Sequence, residues 1–221
     1  MGLMDNVQQA ENFEQKCLCV FAIDVSGSMS SCVHELNTGL QKFAVDVASD
    51  PALCAKLEVG IVTFGSTADV LQTPALLDAF EMPILKVDGF TAMVGGVRLA
   101  MQMVQDRKDY WKQSGMNYYR PWIVLITDGE PDDDQDVKGL AREVEDAKQA
   151  KKFQFLPIGV KGANMQKLAL ISGSKPHMLQ GFNFAKFFTW LSDSMGKIAK
   201  SKEGDKIKLP EKDWTEEEFI V

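Results

Sequence analysis

The chain has 221 residues, of which 45% are hydrophobic and 25% charged, with a formal net charge of −7. That is ordinary for a soluble globular protein, and it fits one α/β domain with short extensions and a sizeable core. The acidic balance disfavours nucleic acid or an anionic membrane surface as partner, no stretch reaches the roughly 18 apolar residues of a membrane span, and the N-terminus lacks a basic-then-apolar leader, so cytoplasmic residence is expected.

Taken in order, the apolar run Cys17 to Ile23 reads as a buried strand that ends in a charge, Asp24, followed by Ser26, Gly27 and Ser28. Val33, Leu36, Leu40, Phe43, Ala44 and Val47 recur at helical spacing, and Asp50-Pro51 closes that helix. Leu57 to Phe64 reads as a second strand, and Gly65-Ser66-Thr67 turns into a short antiparallel edge strand, Ala68 to Gln72. From Thr73 to Phe90 the pattern weakens, with Pro74 and Pro83 interrupting it, and the segment ends as a loop that delivers Thr91.

Met93, Val97, Ala100, Met101 and Val104 mark a long helix whose methionines suit core filling. Gly95-Gly96 inside it would cost about 1 kcal/mol per residue relative to alanine, which calls for close packing. After a loop whose Tyr118 and Tyr119 read as a lid on the core, with exposed aromatic contacts as the alternative, Ile123 to Ile126 is continuously apolar, as a central strand covered on both faces requires. That strand ends at Asp128, and the acidic run Glu130 to Asp136 leads into a helix carrying Val137, Leu140, Ala141, Val144 and Ala147. The run lacks the alternation of a calcium loop.

Phe153 to Val160 gives the next strand, Asn164 to Ile171 a short helix, His177 to Gln180 a short last strand, and Phe184 to Ile198 a final amphipathic helix. The alternation predicts a doubly wound α/β fold: a mainly parallel six-stranded sheet in the order 3-2-1-4-5-6 with helices on both faces. Residues 1–14 read as an N-terminal extension, 15–200 as the domain and 201–221 as a C-terminal tail. Leu209, Trp214, Phe219 and Ile220 give that tail the means to dock on the domain or on a partner. The four cysteines, Cys17, Cys19, Cys32 and Cys54, include a C-x-C pair rather than a C-x-x-C, so buried thiols are expected, with a zinc site through Cys32 and His34 as the minor alternative.

Asp24, Ser26 and Ser28 place one carboxylate and two hydroxyls at a strand-to-helix turn. Oxygen donors of this kind suit a hard cation such as Mg²⁺, and they equally suit a helix cap. Pro121 to Pro131, P-W-I-V-L-I-T-D-G-E-P, repeats the plan of a strand ending in a carboxylate, and Gly89-Phe90-Thr91-Ala92 supplies a loop threonine before a helix. In order and spacing, D-x-S-x-S and T-D-G resemble the metal-ion-dependent adhesion site of von Willebrand factor A domains, and the resemblance runs from about Gln15 to Lys200. It departs at Asp88-Gly89-Phe90-Thr91, where the family often has a second glycine before the threonine.

This resemblance implies five metal ligands, Asp24, Ser26, Ser28, Thr91 and Asp128, holding Mg²⁺ or else Mn²⁺ or Ca²⁺, with a carboxylate of a protein partner completing the shell. Tyr118 to Pro131 looks most like the bacterial cytoplasmic members found with tellurite-resistance genes, the TerY type. That likeness implies a stress-response or phosphorylation-linked system with a kinase or phosphatase as partner. The expected function is a metal-dependent adaptor without catalysis. Its rival is a metal-dependent hydrolase or phosphotransfer enzyme with Asp24 as nucleophile, for which the sequence offers no suitable base: His34 and His177, the two histidines, lie outside the candidate stretches. Phosphate-binding and dinucleotide glycine motifs are absent from the sequence.

Overall fold

A computed structural model of the chain describes residues 14–128, 130–131, 134–202 and 205–216. The expectations placed on residues 1–13, on Asp132 and Asp133 of the acidic run, and on Phe219 and Ile220 lie outside those residues.

The first strand, β1 (Cys17–Asp24), is buried along its whole length. No polar side chain interrupts it before Asp24, so it can be covered on both faces and takes the centre of the sheet. It pairs in parallel with β2 (Leu57–Phe64) on one side and β4 (Trp122–Thr127) on the other. Beyond β4 lie β5 (Gln154–Gly159) and β6 (His177–Leu179), both parallel, while β3 (Ala68–Leu76) lies antiparallel against β2. The order is 3-2-1-4-5-6, as the alternation predicts. A seventh strand, β7 (Thr215–Glu216), adds to β6 from the C-terminal tail.

Pleating of β1 divides the core. Cys17, Cys19, Phe21 and Ile23 face α1 (Val33–Ala48) and α6 (Phe184–Ala199), and Leu18, Val20 and Ala22 face α3 (Met93–Gln113), α4 (Val137–Gln149) and α5 (Met165–Ser172). A single turn, α2 (Pro51–Cys54), follows α1 and is capped by Asp50, whose carboxylate accepts from the Ala52 N–H at 3.2 Å. The buried cysteines are free thiols within this core. Met93 and Met103 are buried packing residues, and a Cβ on Gly96 would strike the Phe64 ring, which accounts for a glycine there.

One expectation changes and another is narrowed. The edge strand runs four residues beyond Gln72, because its pairing slips between Ile61↔Gln72 and Val59↔Ala75 and leaves Pro74 in the irregularity, where no ladder N–H is required. The tail docks on the domain. Trp214 is fully buried, with ring centroids 4.9 Å from Phe187, 5.3 Å from Trp190 and 5.6 Å from His177, and the Trp190 Nε1–H donates to the Pro210 carbonyl at 3.0 Å. Tyr118 stacks on Trp111 at 5.3 Å, and Tyr119 packs against the other core layer while its hydroxyl donates to the Ser201 carbonyl at 2.6 Å.

Candidate metal centre

β1, β2 and β4 all end at the same edge of the sheet, and three loops meet there. The Val25 N–H donates to the Phe64 carbonyl at 2.9 Å and laces the ends of β1 and β2 together, and the Ala92 N–H donates to the Gly65 carbonyl at 2.8 Å. The loop that carries Thr91 is tied to the turn after Asp24 by Gly27 N–H to the Gly89 carbonyl at 2.9 Å and Asp88 N–H to the Val25 carbonyl at 2.6 Å. Gly89 adopts φ +49°, and a Cβ there would run into the Ser66 hydroxyl, so this single glycine provides the close approach.

Asp24 is 1% exposed and Ser26 2% exposed; Thr91 is buried, Asp128 half-buried and Ser28 exposed. Asp24 Oδ1 accepts from the Ser26 N–H at 2.8 Å, and its Oδ2 from the Thr127 hydroxyl at 2.6 Å. The Ser26 and Ser28 hydroxyls lie 3.0 Å apart. None of the three serves as a helix cap through its side chain: the 3₁₀ turn Gly27–Ser31 and α1, whose N-cap is Cys32, show no side-chain cap bond. The helix-cap reading of the turn is thereby reduced to the one bond that Asp24 accepts from the Ser26 N–H.

Burial pushes the Asp24 carboxyl up to about 6; hydrogen bonds from Ser26 and Thr127 oppose that shift, and the negative charge of Asp128 adds to it. Two carboxyl groups thus repel each other in a place that water reaches poorly. Among the described residues neither forms an ion pair, and Asp128 Oδ1 is a buried oxygen with no hydrogen-bond partner. A buried acceptor left without a donor costs roughly 1–3 kcal/mol, more when charged. A divalent cation would satisfy it, and an all-oxygen donor set of two carboxylates and three hydroxyls suits Mg²⁺ or another hard cation. Among the described residues no group of three or more His, Cys, Asp and Glu side chains converges, so such a cation has to draw on the hydroxyls. This also leaves the zinc alternative through Cys32 and His34 without a cluster.

Four residues that the sequence reading gave no role support this edge. Thr127 is the hydroxyl that ends β4 and braces Asp24. Asn164 donates its backbone N–H to the Asp128 carbonyl at 2.9 Å and its side-chain amide to Glu130 at 2.9 Å, and Lys167 donates to the other Glu130 oxygen at 2.8 Å. The sequence signal was present in Thr127, a lone hydroxyl closing an apolar run. Asp136, at the end of the acidic run, caps α4 by accepting from the Gly139 N–H at 2.9 Å, as expected for negative charge at a helix start.

The family model for the von Willebrand factor type A domain matches residues 19–194. Among solved structures the chain is similar to the pilus adhesin SpaC from Lactobacillus rhamnosus GG in its open conformation, with a TM-score of 0.68 at 14% identity over 83% of this chain and 30% of that one. It is similar to VWA2, an ArnB paralog from Sulfolobus acidocaldarius, with a TM-score of 0.54 at 17% identity over 82% and 45%. It is also similar to proximal thread matrix protein 1 from the mussel byssus with a zinc-occupied MIDAS motif, with a TM-score of 0.55 at 17% identity over 85% and 47%. The chain therefore spans less than half the length of these three proteins. No curated protein matches it. Among the described residues no helix is long and apolar enough to cross a membrane.

Proposed function

The chain belongs to the von Willebrand factor type A domain family, and from that premise we propose that it is a metal-dependent protein-binding module. The ion, Mg²⁺ or a similar divalent cation, is held by Asp24, Ser26, Ser28, Thr91 and Asp128. The observation that carries this reading is the buried, partnerless Oδ1 of Asp128 beside a buried carboxyl, Asp24, that no cation among the described residues neutralises. A bound cation supplies an open coordination position for a carboxylate of the partner. The chain's own groups do the rest: the two carboxylates attract the ion, the hydroxyls contribute neutral oxygens, and the N-termini of α3 and α5 beside Thr91 and Asp128 favour an incoming anion. Phe90, next to Thr91 and 72% exposed, offers the partner an apolar contact at the rim.

The zinc-occupied MIDAS motif of the mussel protein supports a divalent ion on this fold. On the stretch Tyr118 to Pro131 we place the chain with the cytoplasmic, tellurite-associated members of the family, with a kinase or phosphatase as partner. The hydrolase reading is weaker because His177 packs against Trp214 and His34 sits on the outer part of α1. Calorimetric titration with Mg²⁺ tests the ion: the wild type binds and Asp24→Ala does not. Capture of a partner from lysate should need Mg²⁺ and fall in Thr91→Ala. Equal capture in chelator would move binding to another surface, and metal-dependent phosphoester turnover lost in Asp24→Asn would favour the enzyme.

A further inference from the structure

The helix that follows Thr91 begins without a cap of its own. The N-cap residue of α3 is Ala92, which has no side-chain acceptor, and no side chain of that residue closes the helix start. The acceptor comes instead from the far side of the site, 41 residues along the chain: Gln135 Oε1 accepts from the Val94 N–H at 2.8 Å. The same amide group donates through Nε2 to the Thr91 carbonyl at 2.5 Å. One side chain thus holds both the backbone of a candidate ligand and the first turn of the helix behind it, and it does so from the segment that joins Asp128 to α4.

Backbone bonds also tie the Thr91 loop toward β1 and β2, through Gly27, Val25 and Gly65, and Asn37 and Gln41 of α1 hold its earlier part at Leu85 and Met82. Loss of the Gln135 amide leaves those ties in place and removes the bonds it makes to the Thr91 carbonyl and the Val94 N–H. Arg98 links α3 to α4 separately, with Nη2 at 2.7 Å from Glu143 and 3.3 Å from Asp136, so the helices stay together if the amide is lost.

We infer that Gln135 is a positioning residue that locks the Thr91 loop to the Asp128 loop and so sets the distance between two ligands of one ion. The inference rests on the metal reading above. Outer groups that hold ligands in place typically change metal affinity by about ten- to a hundredfold. Here one ligand of five is affected and its loop stays partly tied, so the lower end applies.

The test compares the wild type with Gln135→Met, which keeps the length of the side chain and removes both hydrogen bonds. Mg²⁺ titration should show roughly tenfold weaker binding in the variant, with a thermal midpoint within a few degrees of the wild type. A merely structural role would lower the midpoint and leave the affinity alone. A second measurement uses the wild type only. If the ion and the Gln135 clamp are coupled, the coupling is reciprocal, so saturating Mg²⁺ should slow hydrogen exchange of the Val94 amide several-fold. Unchanged Mg²⁺ affinity in folded Gln135→Met, or unchanged Val94 exchange in a wild type that binds Mg²⁺, overturns the inference. A wild type that binds no Mg²⁺ overturns the metal reading and this inference with it.

Discussion

Both ends of the sheet bury carboxylates, and they treat them in opposite ways. At the start of β2, Glu58 is 4% exposed, and Arg107 of α3 meets it with two nitrogens, Nε on Oε2 and Nη2 on Oε1 at 2.8 Å. The guanidinium also lies 4.5 Å from the Tyr110 ring centroid, and buried Lys16 adds positive charge nearby. At the other end, Asp24 has a hydroxyl and an amide donor and feels the negative charge of Asp128, and among the described residues neither carboxylate has a protein cation. The same fold can therefore provide a counter-ion where it needs one for stability. Its lack at the Asp24 end is what a site for an external cation requires.

The largest effect should come from breaking the paired end. Arg107→Ala leaves Glu58 buried with its main partner gone, and urea unfolding should report a loss of about 2–4 kcal/mol, somewhat below a fully buried pair because Arg107 is partly exposed. Mg²⁺ affinity should not change, since the two ends are separated by the length of β2.

Neutralising the other end should do the reverse. In chelator, Asp24→Asn should unfold at equal or higher denaturant than the wild type while losing Mg²⁺ binding altogether. The sign follows from the carboxyl's shift: a folded-state value of about 6 against an ordinary 3.8 means that the folded protein prefers the neutral acid. The stability this group contributes is fully present below about 3.8 and is lost as pH rises through 6. The metal-free wild type should thus gain stability relative to Asp24→Asn as pH falls from 7 to 5, and a pH series of unfolding curves that runs parallel for the two would break the contrast.

The smallest effect tests how the unpaired end is held. Asn164→Ala removes the side-chain bond to Glu130 but keeps the backbone bond to the Asp128 carbonyl, so Mg²⁺ affinity should fall only about two- to threefold. A loss as large as that of Asp24→Ala would mean that Asn164 is itself a ligand.

The amino-acid order by itself determined the strand sequence, the central place of β1 and β4, and the carboxylates that end them, because each depends on local periodicity and on where an apolar run stops. It also marked the edge strand, and missed its last four residues only because Pro74 reads as a break until the slipped pairing with β2 is known. Glu58 was visible as a charge inside an apolar strand, and its partner was not: Arg107 lies 49 residues away on a helix whose rotation is set by packing. The same holds for Gln135, which within an acidic run reads as solvated loop and becomes a clamp only when two loops are brought together. The tail offered Trp214 without a destination. The tertiary structure decided that it fills the space between Phe187, Trp190 and His177, since burying so large a ring depends on a cavity that β6 and α6 must first build.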